Sequence, residues 1–240
     1  DGFKGGDRTH IELPAVQRNF LKALKDAGKH VIFVNCSGSC IALEPETKTC
    51  DAIVQAWYPG QEGGTAVADV LFGDYNPGGK LPVTFYKNSK QLPDYEDYSM
   101  KGRTYRYFDD ALFPFGYGLS YTTFEVSPVN SDAYAVNDKD DVKVNVKVKN
   151  TGRRDGAEVV QVYIRNLQDA EGPLKSLRAF QRVDVKAGQS QTVTLSLNRQ
   201  SFEFWDAETN TMRVKPGQYE ILVGTSSSNK DLKKQIIKVQ

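Results

Sequence analysis

From Val142 to Val148 every second residue is valine, and the residues between are lysine or asparagine: Val142-Lys143-Val144-Asn145-Val146-Lys147-Val148. A strand turns successive side chains to opposite faces, so a period of two gives one dry face and one wet face. A helix would scatter the same valines around its circumference. The run is therefore expected to be a half-buried antiparallel strand, and its dry face needs further strands to cover it. The sequence supplies them at residues 158–165, 178–185, 192–197, 219–223 and 235–239. Turn signals at Asn150-Thr151-Gly152, Lys186-Ala187-Gly188 and Lys215-Pro216-Gly217 separate them. About seven short strands in about 120 residues, without a helix, are the pattern of a β-sandwich of immunoglobulin or fibronectin III type.

The first part of the chain has a different texture. Leu13-Pro14 opens a helical spacing of Val16, Phe20, Leu21, Leu24 and Ala27, which Gly28 closes. Two continuous apolar runs, residues 31–34 and 52–57, read as strands covered on both faces in a parallel sheet. Ala66, Val67, Val70 and Leu71 mark a second amphipathic helix, and residues 81–85 read as a last short strand. Strand and helix at this cadence give an α/β layer with only about three strands, expected to be incomplete on its N-terminal side. The expected organisation is a partial open α/β sandwich layer over residues 1–86, an ordered connector over 87–123, and an all-β sandwich over 124–240.

The connector is unusual. Ten of the 30 residues from Tyr95 to Phe124 are aromatic, against 11% for the whole chain. Such a segment is too apolar for a solvated linker and too irregular for a helix or strand. It reads either as packing pressed against both domains or as an aromatic platform for stacking sugars. Arg103 and Arg106, among these rings, suit hydrogen bonds to sugar hydroxyls or cation–π stacking on Tyr105 and Tyr107.

Other chemistries find little support. With 31 Lys+Arg against 30 Asp+Glu, the chain has no electrostatic footprint for nucleic acid or an anionic membrane. No apolar run approaches the roughly 20 residues of a membrane-spanning helix. The three cysteines, Cys36, Cys40 and Cys50, lack paired metal-ligand spacing, and His10 and His30 lie apart from them, so no metal is expected. Buried thiols or a single disulfide remain the two readings of the cysteines. Gly38-Ser39-Cys40 lacks the second glycine of a nucleophile elbow. Gly60, Gly63 and Gly64 precede a helix, but without the spacing of a phosphate-binding loop, and no cofactor is expected. Glu62 falls just past the C-terminal end of a parallel strand, the edge where open α/β sheets gather ligands. It equally suits the positive end of the following helix. Asp7 and Arg8 read as an ion pair holding the entry loop.

Several runs resemble the C-terminal part of glycoside hydrolase family 3. They include Gly6-Asp7-Arg8, Leu13-Pro14, Val34-Asn35-Cys36-Ser37-Gly38, and Ala56-Trp57-Tyr58-Pro59-Gly60-Gln61-Glu62-Gly63-Gly64. Residues 68–77, 79–85 and 113–121 continue in order, and the sandwich resembles the family's fibronectin III-like domain. The resemblance implies a retaining, exo-acting β-glycosidase on gluco- or xylo-configured sugars, with a carboxylate nucleophile and a carboxylic acid/base about 5–5.5 Å apart. In the family the nucleophile is an Asp of an N-terminal (β/α)8 barrel, and the acid/base is a Glu on the loop leading into Asp7-Arg8. Neither has a match here, so both are expected upstream of Asp1 and the chain alone is expected to be inert.

The first residues, Asp1-Gly2-Phe3-Lys4, contain neither initiator Met nor signal peptide, which suggests a processed chain or a fragment. Substrate-facing or barrel-facing candidates are Glu62, Trp57, Arg103 and Tyr105. Expected partners are an oligosaccharide or β-glycoside and the barrel. A periplasmic or secreted location follows by analogy. The competing reading is a non-catalytic carbohydrate-binding or interaction module.

Overall fold

The computed structural model describes residues 3–4, 7–131, 135–136 and 141–239. The chain divides into two compact units: Asp1–Tyr75, Val83–Thr104 and Asp110–Phe113 form the first, and Asn76–Pro82, Tyr105–Asp109 and Pro114–Gln240 the second.

The first unit begins with two short paired strands, β1 (Phe3–Lys4) and β2 (Asp7–Arg8), followed by α1 (Ala15–Asp26). Pro14 stands at the N-cap of α1, one position ahead of the expected first turn, and Gly28 follows its end at φ 71°. The layer itself is a parallel pair, β3 (Ile32–Asn35) and β4 (Ala52–Gln55), in register from Ile32↔Ala52 to Asn35↔Gln55. Their crossover contains a single helical turn, α2 (Glu46–Thr49), and α3 (Gly63–Phe72) follows β4. Leu13, Leu21, Val31, Ile41 and Leu43 form the core, with Phe33 and Ile53 packed on it.

Two expectations change here. The second apolar run stops as a strand at Gln55, because Trp57 adopts φ 55°, a left-handed backbone that no strand tolerates. Residues 81–85 are not a strand. Pro82 has no N–H to donate, and the run attaches only at its ends. Leu81 exchanges backbone hydrogen bonds with Gly116 and Tyr117, and Phe85 with Leu112 and Phe113. In α1, Leu21 reaches the core, while Val16 and Phe20 remain 76% and 63% exposed.

Thr104–Tyr107 form one helical turn, α4. The second unit is the expected sandwich. One sheet, in the order β10-β7-β5, is built from β5 (Phe124–Ser131), β7 (Val142–Asn150) and β10 (Ser190–Leu197). The other runs β6-β14-β13-β8-β9, with β6 (Ala135–Val136), β8 (Gly156–Asn166), β9 (Ser176–Val185), β13 (Gly217–Gly224) and β14 (Lys233–Val239). A small hairpin, β11 (Phe204–Asp206) with β12 (Thr211–Arg213), completes it. The four alternating valines are buried as the period of two requires, and Val142, Val144 and Val146 lie opposite Leu197, Leu195 and Val193. Pro128 sits in β5 at a sheet edge and beside a register shift, where its missing N–H breaks no ladder.

Strand β8 is buried on both faces. Val160, Val162 and Ile164 point into the sandwich core. Tyr163 on the opposite face forms a second cluster with Leu222 and Leu232, covered by Tyr105, Phe115 and Leu177. The aromatic segment therefore supplies an outer layer to this sheet. Its rings are divided by unit: Tyr105, Tyr107, Phe108, Phe115, Tyr117, Tyr121 and Phe124 belong to the second, Tyr95, Tyr98 and Phe113 to the first.

Candidate functional site

The C-terminal end of the β3–β4 pair carries a polar network. Buried Asn35 donates through Nδ2 to Gln55 Oε1 at 2.6 Å and to Ser37 Oγ at 3.0 Å. Gln55 Nε2 reaches the Ser37 carbonyl at 3.2 Å, and the Ser37 hydroxyl donates to the Ser39 carbonyl at 3.0 Å. Arg8 Nη2 donates to Ser39 Oγ at 2.7 Å. The Asp7 side chain, and with it the expected Asp7–Arg8 ion pair, lies outside what the structure describes; the backbone of Asp7 pairs with Lys4. Cys36, Cys40 and Cys50 are free thiols, and burial pushes those of Cys40 and Cys50 up. Among the described residues no group of three or more His, Cys, Asp or Glu is placed to hold a metal ion.

At this same edge Trp57 turns out of β4. Its indole meets Phe85 edge-on at a centroid distance of 6.1 Å, and Phe85 in turn meets Phe113 at 6.3 Å. Glu62 is exposed at the N-cap of α3, where Thr65 Oγ1 donates to its Oε2 at 3.3 Å. A carboxylate in that position is favoured by the helix dipole.

Among the described residues Arg103 has no ring contact. Its guanidinium donates to three backbone carbonyls, those of Ser99 and Asp94, each at 3.1 Å, and of Asp97. Arg106 instead lies over the Tyr107 ring, 5.8 Å from its centre. Tyr105 stacks on Phe115 at 4.4 Å with 23° between planes and meets Tyr163 edge-on at 5.7 Å. Its hydroxyl accepts the Leu177 N–H at 3.1 Å. Thus Tyr105 and Arg106 are engaged in the second unit, whereas Arg103, Trp57 and Glu62 belong to the first.

Four carboxyl groups have shifted proton affinities. A general acid needs a raised pKa so that it holds a proton at neutral pH. Among the described residues, every carboxyl group with a resolved shift moves downward. Burial raises that of Glu12, but hydrogen bonds from the hydroxyl and N–H of Ser89 outweigh it. The Lys25 ammonium holds Asp51 low, and the Ser99 N–H does the same for Asp97. Asp206, inside the sandwich, is held at about 2 by Lys215 and Thr209. The buried Glu46 is engaged by Arg18, whose Nε lies 2.6 Å from Oε1.

The motifs around the connector have structural partners. Asn76 Oδ1 accepts from Ser120 Oγ at 2.9 Å and from Tyr121 N at 2.7 Å, while its Nδ2 donates to the Asp155 carbonyl at 2.9 Å. Lys80 pairs with Glu158 at 2.6 Å. Residues 2–121 match the family description "Glycosyl hydrolase family 3 C-terminal domain". The chain belongs to glycosyl hydrolase family 3. Residues 158–227 match a fibronectin type III-like domain, in agreement with the sandwich.

Relatives within family 3 align along nearly the whole chain. It is 73% identical over 237 residues to a protein of Xylanibacter ruminicola named xylan 1,4-beta-xylosidase, covering 99% of this chain and 27% of that protein. It is 38% identical over 239 residues to a periplasmic beta-glucosidase of Salmonella typhimurium, covering 94% of this chain and 31% of that one. Among solved structures, a beta-glucosidase from Streptomyces venezuelae in complex with D-glucose superposes with a TM-score of 0.87 at 34% identity, covering 100% of this chain and 33% of the other. A mutant beta-glucosidase from Listeria innocua in complex with laminaribiose gives 0.86 at 30% identity, covering 100% and 34%. The chain spans about a third or less of the length of these family 3 proteins.

Proposed function

We propose that this chain serves as the C-terminal portion of a retaining, exo-acting β-glycosidase that cleaves β-xylosides or β-glucosides. The observation that carries the reading is the 73% identity to a xylan 1,4-beta-xylosidase across nearly all of the chain. The relative's name favours the xyloside. In this reading the nucleophile and the acid/base lie in the part of such an enzyme that these residues do not align with, a (β/α)8 barrel and the loop leading into Asp7-Arg8.

Residues 1–86 then complete an α/β layer, 87–123 connect, and 124–240 form a sandwich. Trp57 and Glu62, at the C-terminal edge of the β3–β4 pair, face the catalytic portion. Asp7 and Arg8 shape the entry loop. The name of the Salmonella typhimurium relative supports a periplasmic location, and no described helix is long and apolar enough to cross a membrane.

The test is hydrolysis of aryl β-xyloside and aryl β-glucoside. The purified 240-residue chain is expected to be inactive, and the same chain joined to an N-terminal barrel segment taken from the Xylanibacter ruminicola relative is expected to be active, faster on the xyloside. Turnover by the chain alone would overturn the assignment. In the joined enzyme, Glu62→Gln is expected to lower kcat/KM with an unchanged melting temperature; a lowered melting temperature with unchanged kinetics would leave Glu62 as a helix cap only.

A further inference from the structure

Of the aromatic side chains between Tyr95 and Phe124, Tyr121 is 45% exposed and two others stand out further. Tyr95 and Tyr98 are 86% and 90% exposed, and among the described residues neither has a ring contact or hydrogen bond. Both stand on one tight loop of the first unit that is held from beneath. The Arg103 guanidinium donates to the carbonyls of Asp94, Asp97 and Ser99, so one side chain ties down the start, middle and end of the loop. Asp94 Oδ1 accepts the Glu96 N–H at 2.9 Å, and Asp97 Oδ1 accepts the Ser99 N–H at 2.8 Å. A loop fixed in this way presents its rings without a large ordering cost on binding. Tyrosine suits that task, since it offers a wide rigid face with only two side-chain torsions to freeze.

Size and charge select the occupant. Two tyrosine rings offer roughly 150–250 Å² each, well short of the roughly 800 Å² per partner of a stable protein interface. The rings alternate with the carboxylates of Asp94, Glu96 and Asp97, which repel phosphates and anionic surfaces but accept hydrogen bonds from hydroxyl groups. An uncharged molecule with apolar ring faces and a hydroxyl rim meets both conditions. We propose that Tyr95 and Tyr98 form a stacking platform for a neutral β-linked pyranose chain, with Arg103 as the residue that positions them. The inference rests on the glycoside-handling reading above and assigns it a place of contact.

The test is titration of the 240-residue chain with xylohexaose and with laminarihexaose, followed by calorimetry and by the ring resonances of the tyrosines. Binding of at least one hexasaccharide is expected, with Tyr95→Ala and Tyr98→Ala each weakening it about ten-fold and the double variant abolishing it, all at an unchanged melting temperature. Arg103→Gln is expected to weaken binding while both rings remain. No binding by the parent chain, or binding that both alanine variants retain, overturns the inference. So does a Tyr-dependent dimer seen by sedimentation in place of sugar binding. In the complete enzyme, both tyrosines should be nitrated by tetranitromethane and protected by hexasaccharide; rings unreactive without sugar mean that another segment covers them, which also overturns it. Hydrolysis separates the two proposals. An active joined enzyme whose hexasaccharide binding ignores Tyr95 and Tyr98 refutes the platform alone, and Tyr-dependent binding with an inactive joined enzyme refutes the glycosidase reading alone.

Discussion

Replacing Tyr105 by alanine separates the two readings of the aromatic segment. As packing, its ring closes the outer face of the five-stranded sheet against Phe115 and Tyr163. Removing a buried aromatic side chain costs about 3–5 kcal/mol. Tyr105 is only partly buried, which puts Tyr105→Ala near the lower end, about 3 kcal/mol. Tyr105→Phe keeps the ring and removes only the acceptor for the Leu177 N–H, a loss of about 1 kcal/mol. The chain has two tryptophans, Trp57 in the first unit and Trp205 in the second, so in a Trp57→Phe background Trp205 fluorescence reports unfolding of the sandwich. With a urea slope of about 1–3 kcal/mol per molar, the alanine variant should unfold roughly 1–3 M earlier than its parent, and the phenylalanine variant about a third as far. An unmoved midpoint in Tyr105→Ala, together with weakened hexasaccharide binding, would refute the packing argument and return Tyr105 to the sugar.

Asp206 is held at about 2 by the Lys215 ammonium and the Thr209 hydroxyl, below its ordinary 3.8. Its contribution is therefore present above pH 3.8 and lost as pH falls toward 2, so Asp206→Asn should flatten the acid limb of the sandwich's stability between those values in pH-dependent urea melts. Lys175 runs the other way. Burial lowers its ammonium to about 8 from 10.5, and it donates to the Ser227 carbonyl and Asn229 Oδ1, each at 2.8 Å. The unfolded chain binds the extra proton between pH 8 and 10.5, so stability relative to Lys175→Met should rise across that window in pH-dependent urea melts. Gly116 and Gly188 have similar left-handed backbones, at φ 78° and 72°. A Cβ at Gly188 meets open space, but at Gly116 it would collide with Gln161 Oε1. Gly188→Ala should cost about 1 kcal/mol, and Gly116→Ala at least twice that, in thermal or urea unfolding.

What the sequence disclosed follows from the reach of its signals. Alternation is local, and strand β7 could be read from seven consecutive residues because its lysines face water. The cover on the second face of β8 was hidden, since Tyr163 meets rings from a distant part of the chain that no periodicity connects to it. The β11–β12 hairpin escaped because three residues are too few to show a period, although Asn210, left-handed at φ 52°, marked its turn. At residues 81–85 apolar content suggested a strand, and Pro82 was the contrary signal. For the candidate site, Arg103 was singled out by residue type, but only the structure shows it gripping carbonyls. The exposure that sets Tyr95 and Tyr98 apart from their neighbours cannot be seen in composition at all.

The chain passes between the two units at residues 75–76, 82–83, 104–105, 109–110 and 113–114. During synthesis on a ribosome, neither unit can be finished before the other has begun. The first lacks Asp110–Phe113 until the second has already received Asn76–Pro82 and Tyr105–Asp109. A protease that nicks the chain once anywhere from 76 to 113 releases no intact unit, since each fragment carries away a piece the other requires. Any attempt to borrow the sandwich as a portable module by starting at Phe124 would strip Tyr105 and Phe115 from Tyr163 and yield a sheet with an oily back.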